Sequence, residues 1–165
     1  MINSNNLLEI DELARKSALD VSRSFIVQAP AGSGKTELLI QRYLALLSTV
    51  KSPEEIIAIT FTKKAAAEIK LRVINALQQY KFKDKPFEEH SLKTYKLAGL
   101  ALERSVKFKW NLINNPNRMR IQTIDALNVS IANFSPLSSF RNYSNVALGA
   151  ELKNLYKSAA LSTLD

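Results

Sequence analysis

Ala29-Pro30-Ala31-Gly32-Ser33-Gly34-Lys35-Thr36 is the segment of this sequence with the clearest chemistry. A run of small residues closed by Gly-Lys-Thr suits a chain of phosphates. Gly32 and Gly34 allow backbone conformations closed to other residues, so successive N–H groups can converge on phosphate oxygens, and the start of a following helix adds partial positive charge. Lys35 can reach β- and γ-phosphates and the Thr36 hydroxyl can ligate Mg²⁺, which makes these two the candidate catalytic residues and Thr36 the candidate metal ligand. Ala29, Pro30, Ala31, Gly32, Ser33, Gly34, Lys35, Thr36 and Glu37 together form the candidate nucleotide-binding set. Ala29 stands where the strict pattern begins with Gly, a position that needs only a small residue. Two of the four glycines of the chain lie in this loop, as expected of a backbone requirement. Such a loop by itself leaves kinases, GTPases and translocases open.

A second candidate segment follows an apolar run: Ile59-Thr60-Phe61-Thr62-Lys63-Lys64-Ala65-Ala66-Ala67-Glu68-Ile69. The ends of parallel strands face the ligand crevice in α/β sheets, so Thr60 to Lys63 should lie beside the nucleotide. Phe61 either closes the apolar core of its strand beside two solvated lysines, or stacks on an unpaired base while Thr62, Lys63 and Lys64 meet backbone phosphates. A third segment is Arg120-Ile121-Gln122-Thr123-Ile124-Asp125-Ala126-Leu127.

These three segments, in this order and spacing, resemble motifs I, Ia and Ib of the UvrD/Rep superfamily 1 DNA helicases. The phrasing of 24–42, 58–72 and 115–128 is most similar to the AddA/RecB helicase–nuclease branch, and together the segments cover about a third of the chain. The resemblance implies a RecA-like P-loop NTPase fold, ATP and Mg²⁺ as cofactors, and single-stranded DNA as a partner along Thr60, Phe61, Thr62, Lys63, Lys64 and Thr123. It also implies 3′–5′ translocation in double-strand-break repair, alongside the remaining helicase–nuclease polypeptide or an AddB-like partner. Asp125 stands where many relatives carry His; a carboxylate beside phosphate is unfavourable, so its expected role is to cap the following helix. Relatives often carry an adenine-reading glutamine upstream of the phosphate loop. The corresponding Ala14-Arg15-Lys16 has none, which leaves Arg15 as the substitute candidate.

Around these segments the chain reads as α/β. A helix is expected over 6–19, with Leu7, Ile10, Leu13, Ala14 and Ala18 on its apolar side, then a buried strand over 24–29 ending in the loop. From Lys35 a helix should run to about Ser48 with Leu38, Leu39, Arg42, Tyr43 and Leu46 on one face. A strand follows over 55–61, buried on both faces as parallel strands usually are. Residues 64–80 show the sharpest helical period, with Ala66, Ile69, Val73, Ala76, Leu77 and Tyr80 on one face and a Glu68–Arg72 pair on the other. A helix around 91–108, an Asn-rich turn at 114–117, a strand over 120–123 and helices near 125–133 and 150–162 complete the reading. This divides into 1–80, the first part of a RecA-like ATP-binding domain; 81–119, a basic, mostly helical insertion anchored by Trp110; and 120–165, the return to that domain, which is left incomplete.

Composition sets the outer bounds. The chain has 165 residues, 46% apolar and 23% charged, and no cysteine, which excludes disulfides and thiolate sites. With neither an apolar run of membrane-spanning length nor a leader-like start, a cytoplasmic protein is the expectation. The net charge is +8, and 81–120 holds ten basic against four acidic residues, suited to a polyanion such as nucleic acid or to a solvated lysine-rich surface. His90, the sole histidine, is expected to be exposed. Hydrolysis at a phosphate loop also needs an acidic residue at the end of another strand and a charge-neutralising arginine. Glu54-Glu55, Glu88-Glu89 and Asp125 do not have that setting, so the expectation is the N-terminal portion of a helicase that binds nucleotide with negligible turnover. A non-catalytic ATP- and DNA-binding fragment is one alternative; a small kinase using Arg118, Arg120 and Arg141 is the other.

Overall fold

The computed structural model describes residues 4–134. The chain divides into two compact units, residues 1–124 and 125–165. In the first unit helix α1 (Ser4–Ser17) precedes the glycine-containing loop, and helix α2 (Lys35–Leu47) leaves it. A single helical turn at Pro53–Glu55 leads into strand β1 (Ile57–Thr60), followed by helix α3 (Lys63–Lys81), helix α4 (Glu89–Lys107), a turn at Pro116–Arg118 and strand β2 (Arg120–Thr123). Helix α5 (Ile124–Phe134) is the described part of the second unit. Among the described residues no helix is long and apolar enough to cross a membrane.

The core lies where α2, α3 and α4 meet. Ile40, Tyr43, Leu44 and Leu47 of α2 are buried against Ile69, Val73, Ala76 and Leu77 of α3 and Ala98 and Ala101 of α4. The face expected for α2 is redrawn, because a helix with neighbours on two sides buries more than one stripe: Ile40, Leu44 and Leu47 go inside, while Leu39 is exposed. The α3 face is as its period demands, with Tyr80 half-buried and Arg72 bonded to Glu68 at 2.7 Å. Gly99 lets α4 approach α3 closely. A Cβ there would fall 2.5 Å from the Tyr80 ring, which also packs on Tyr95 at 4.8 Å. Burial, and next the Glu54 carboxylate, push the Tyr43 hydroxyl well above the usual phenol range.

The connections on either side of β1 and β2 are pinned by side chains on carbonyls. The Trp110 indole N–H donates to Lys51 O at 3.0 Å, and Arg104 donates to Val50 O at 2.8 Å and to Thr49 O at 3.0 Å. Arg118 grips Glu54 through two hydrogen bonds, Nε to Oε1 at 2.7 Å and Nη2 to Oε2 at 3.1 Å. That guanidinium, foremost, holds the Glu54 carboxyl at about 2, below its ordinary value of 4.5.

Among the described residues the sheet has two parallel strands, β1 and β2, with Ile57 opposite Arg120 and Thr60 opposite Thr123. α3 packs on both strands. Ala58 and Ile121 turn into the core while Ile57 and Ile59 remain 46% and 49% exposed, so β1 is buried on one face rather than two. The strand expected over 24–29 does not form. A strand exists only as a partner in a ladder, and no described segment pairs with this one, so Ile26 stands fully exposed. Among the described side chains of the apolar side expected of α1, Ile10, Leu13 and Ala14 are exposed and only Ala18, just past the helix, is buried. Asp125 lies within the first turn of α5, not at its cap; Thr123 immediately precedes that helix. The side chains of Leu7 and His90, the residue Arg141 and a helix over 150–162 lie outside the described residues.

Candidate nucleotide and nucleic-acid site

The loop before α2 is shaped by its two glycines. Gly32 has φ +78° and Gly34 φ +81°, left-handed conformations that a Cβ disfavours, and Gly34 occupies the position that opens α2. No side chain caps the helix. Among the described residues the N–H groups of Gly34, Lys35, Thr36 and Glu37 have no acceptor, so the start of α2 presents a set of free donors with the partial positive charge of the helix end. The Ser33 hydroxyl is buried beside them, also without a partner among the described residues.

Three cations organise this region. The Lys35 ammonium folds back over the loop and donates to Ala29 O at 2.6 Å and Pro30 O at 2.5 Å. Arg15, on α1, donates to Ser33 O at 2.6 Å while its Nε is held by Asp11 at 2.7 Å. Arg42, on α2, gathers the carbonyls of Ala18, Asp20 and Arg23 and lies 5.3 Å from the Phe25 ring centre. Between α1 and the loop lies a cavity of about 310 Å³, walled by Arg15, Ala18, Phe25, Val27, Ser33 and Lys35 among others. The roles of Arg42 and Asp11 were not apparent in the sequence, since a guanidinium or carboxylate on a helix face gives no sign of which distant backbone it will meet.

The expected nucleotide-binding residues 29–36 are therefore one continuous stretch, a loop over 29–34 and the first two residues of α2, with Thr36 exposed. Glu37 faces elsewhere: it accepts from the Thr94 hydroxyl of α4 at 2.5 Å, and Thr94 in turn accepts from Gln41 at 3.0 Å. Among the described residues no group of three or more His, Cys, Asp or Glu could hold a metal ion.

Of the expected nucleic-acid residues, Thr60 to Lys64 lie together where β1 passes into α3. Phe61 is 92% exposed, so it does not close the strand's core, and Lys63 and Lys64 are exposed beside it. Thr62 caps α3, its side chain accepting from Ala65 N at 3.1 Å, and the Thr60 hydroxyl donates to Thr62 O at 2.9 Å. Thr123 differs. It sits abreast of Thr60 at the end of β2 but is only 6% exposed, so its side chain is turned away from a polymer. Arg118, which a kinase would need free, is committed to Glu54 and to Trp110 O.

The model of the UvrD/REP helicase N-terminal domain matches residues 10–156. The chain belongs to this family. It is similar to the ATP-dependent helicase/nuclease protein AddA of Levilactobacillus brevis, 46% identical over 34% of this chain and 4% of that protein. It is also similar to the AddA protein of Pediococcus pentosaceus, 28% identical over 72% of this chain and 8% of the relative. DNA helicase II of Rickettsia typhi is 27% identical over 73% of this chain and 18% of that helicase. The chain thus spans less than a fifth of these relatives. No solved structure matches it significantly.

Proposed function

We propose that this chain is the ATP-binding portion of a RecA-like P-loop domain in a 3′–5′ DNA helicase of the AddA/RecB type. It would act in double-strand-break repair in the cytoplasm with an AddB-like or nuclease partner. Residues 81–119 form the basic insertion in this reading, between a first part over 1–80 and a return over 120–165. The observation that carries the reading is the stretch 29–36, where two left-handed glycines lead into a helix whose first N–H groups are unpaired among the described residues. Those donors, the buried Ser33 hydroxyl and a lysine bound only to loop carbonyls fit a triphosphate chemically. ATP when bound supplies the phosphoanhydride whose cleavage drives translocation. Gly32 to Thr36 would hold its phosphates, the Lys35 ammonium would meet phosphate oxygens in place of its two carbonyls, and Thr36 would offer its hydroxyl to Mg²⁺. Thr60 to Lys64 make one wall of a single-stranded DNA groove, with Phe61 as the stacking platform and Lys63 and Lys64 on the phosphates; Thr123 plays no direct part.

Fluorescence titration tests both halves. Lys35→Ala should abolish MgATP binding and leave oligo-dT binding intact. Phe61→Ala should weaken oligo-dT by about 1–3 kcal/mol and leave MgATP binding unchanged. Full nucleotide binding by Lys35→Ala, or unchanged oligo-dT binding by Phe61→Ala, would remove the corresponding half.

A further inference from the structure

Arg15 makes a contact that has a consequence for the loop beyond holding α1 against it. A peptide bond is planar and trans, so its C=O and N–H point in opposite directions. The Ser33–Gly34 peptide could adopt either orientation at little cost, because Gly34 lacks the Cβ that would favour one of them. Something must select between them. The Arg15 guanidinium donates to Ser33 O at 2.6 Å, and the Gly34 N–H on the other side of the same peptide has no acceptor among the described residues. The guanidinium is itself oriented: Asp11, one turn earlier on α1, takes its Nε at 2.7 Å, leaving the Nη2 edge of the rigid fork for the loop. Its other terminal nitrogen lies 3.5 Å from where a Gly34 Cβ would stand, so the group is seated against the backbone of the loop itself. Apolar packing does not account for this seat, since Ile10 and Leu13 of the same helix are exposed.

We infer that Arg15 is a positioning residue of the phosphate cradle: by holding Ser33 O it fixes the Ser33–Gly34 peptide so that the Gly34 N–H is always presented for a phosphate oxygen, with Asp11 setting the guanidinium's direction. The inference rests on the nucleotide reading above and adds to it a residue from outside the loop. It assigns Arg15 to the phosphates, through the backbone, and not to the base. A ligand consisting of phosphates alone should therefore sense the residue as strongly as a nucleotide does.

The test uses the 165-residue chain, titrated with MgATP and separately with magnesium tripolyphosphate, which has no base or sugar, with a thermal melt on each variant. Arg15→Ala should weaken both ligands by the same factor, about tenfold or more, as expected for loss of a charge-assisted hydrogen bond. Arg15→Lys, which keeps the charge without the planar fork, should recover part of the affinity for both ligands equally. If Arg15→Ala does not fold, Arg15→Lys alone serves: an equal loss for the two ligands supports the role and unchanged affinity overturns it. A loss confined to MgATP would make Arg15 a base or sugar contact and overturn the inference. A lower melting temperature with both affinities unchanged would make it a structural staple and likewise overturn it. Wild-type protein that binds neither ligand overturns the nucleotide reading itself. Wild-type binding that Lys35→Ala abolishes and Arg15→Ala leaves untouched overturns only the positioning role.

Discussion

Trp110 and Ile26 mark two regions of the same unit that are held by different means. Trp110 is 2% exposed, with its indole N–H on Lys51 O, inside a block where α2, α3 and α4 bury aliphatic side chains against one another. Ile26 is fully exposed in the stretch that leads into the loop before α2. That stretch is held by guanidinium groups on carbonyls, Arg15 on Ser33 and Arg42 on Ala18, Asp20 and Arg23. The hydrophobic effect scales with area removed from water and is indifferent to direction, whereas a hydrogen bond fixes an orientation for about 1 kcal/mol. Stability is therefore concentrated in the helical block, and the geometry of the loop is set by a few polar contacts of modest energy.

Three substitutions or conditions test that division. Trp110→Ala removes a large buried ring and leaves Lys51 O without its donor, and should cost about 3–5 kcal/mol in denaturant unfolding. A loss below about 1 kcal/mol would mean that the block is not where stability resides. Acid should act on the same block more gently. The Glu54 carboxyl is at about 2 in the folded chain against an ordinary 4.5, so the stability from its pair with Arg118 is fully present above about pH 4.5 and is lost as pH falls towards 2. For a pair this open to solvent the loss is about 1 kcal/mol at most, and Arg118→Gln should flatten that part of the stability–pH curve. Ile26→Ser should change stability by less than about 0.5 kcal/mol, because there is no burial to lose. A destabilisation of the size expected for Trp110 would show that the stretch before the loop is packed after all.

The same division decides what could be read in advance. α3 was legible because Ala66, Ile69, Val73, Ala76 and Leu77 repeat at the helical period and are the residues it buries. The left-handed glycines that open α2 were legible because their requirement is local: Gly32 and Gly34 at two fixed offsets, then Lys-Thr. The failures are nonlocal. Ser24 to Ala29 has the composition of a strand, but pairing depends on a neighbour that composition cannot name. Ile57 and Ile59 look buried for the same reason, and are not. The redrawn face of α2 reflects two packing partners where the period suggested one. Arg15, Arg42, Arg104 and Arg118 all act on backbone carbonyls or carboxylates far away in the chain, and no spacing rule announces such contacts.

β1 and β2 lie side by side, yet the chain crosses α3 and α4 between them. Closing so long a loop before any helix is in place is entropically unfavourable, and α3, which packs on both strands, is the template on which they meet. The expected order is helices first and strands last, which φ-values near zero at Thr60 and Thr123 would bear out. In that order Thr60 and Thr123 come abreast late, and the rim from which Phe61 projects should be among the first segments to exchange its amide hydrogens.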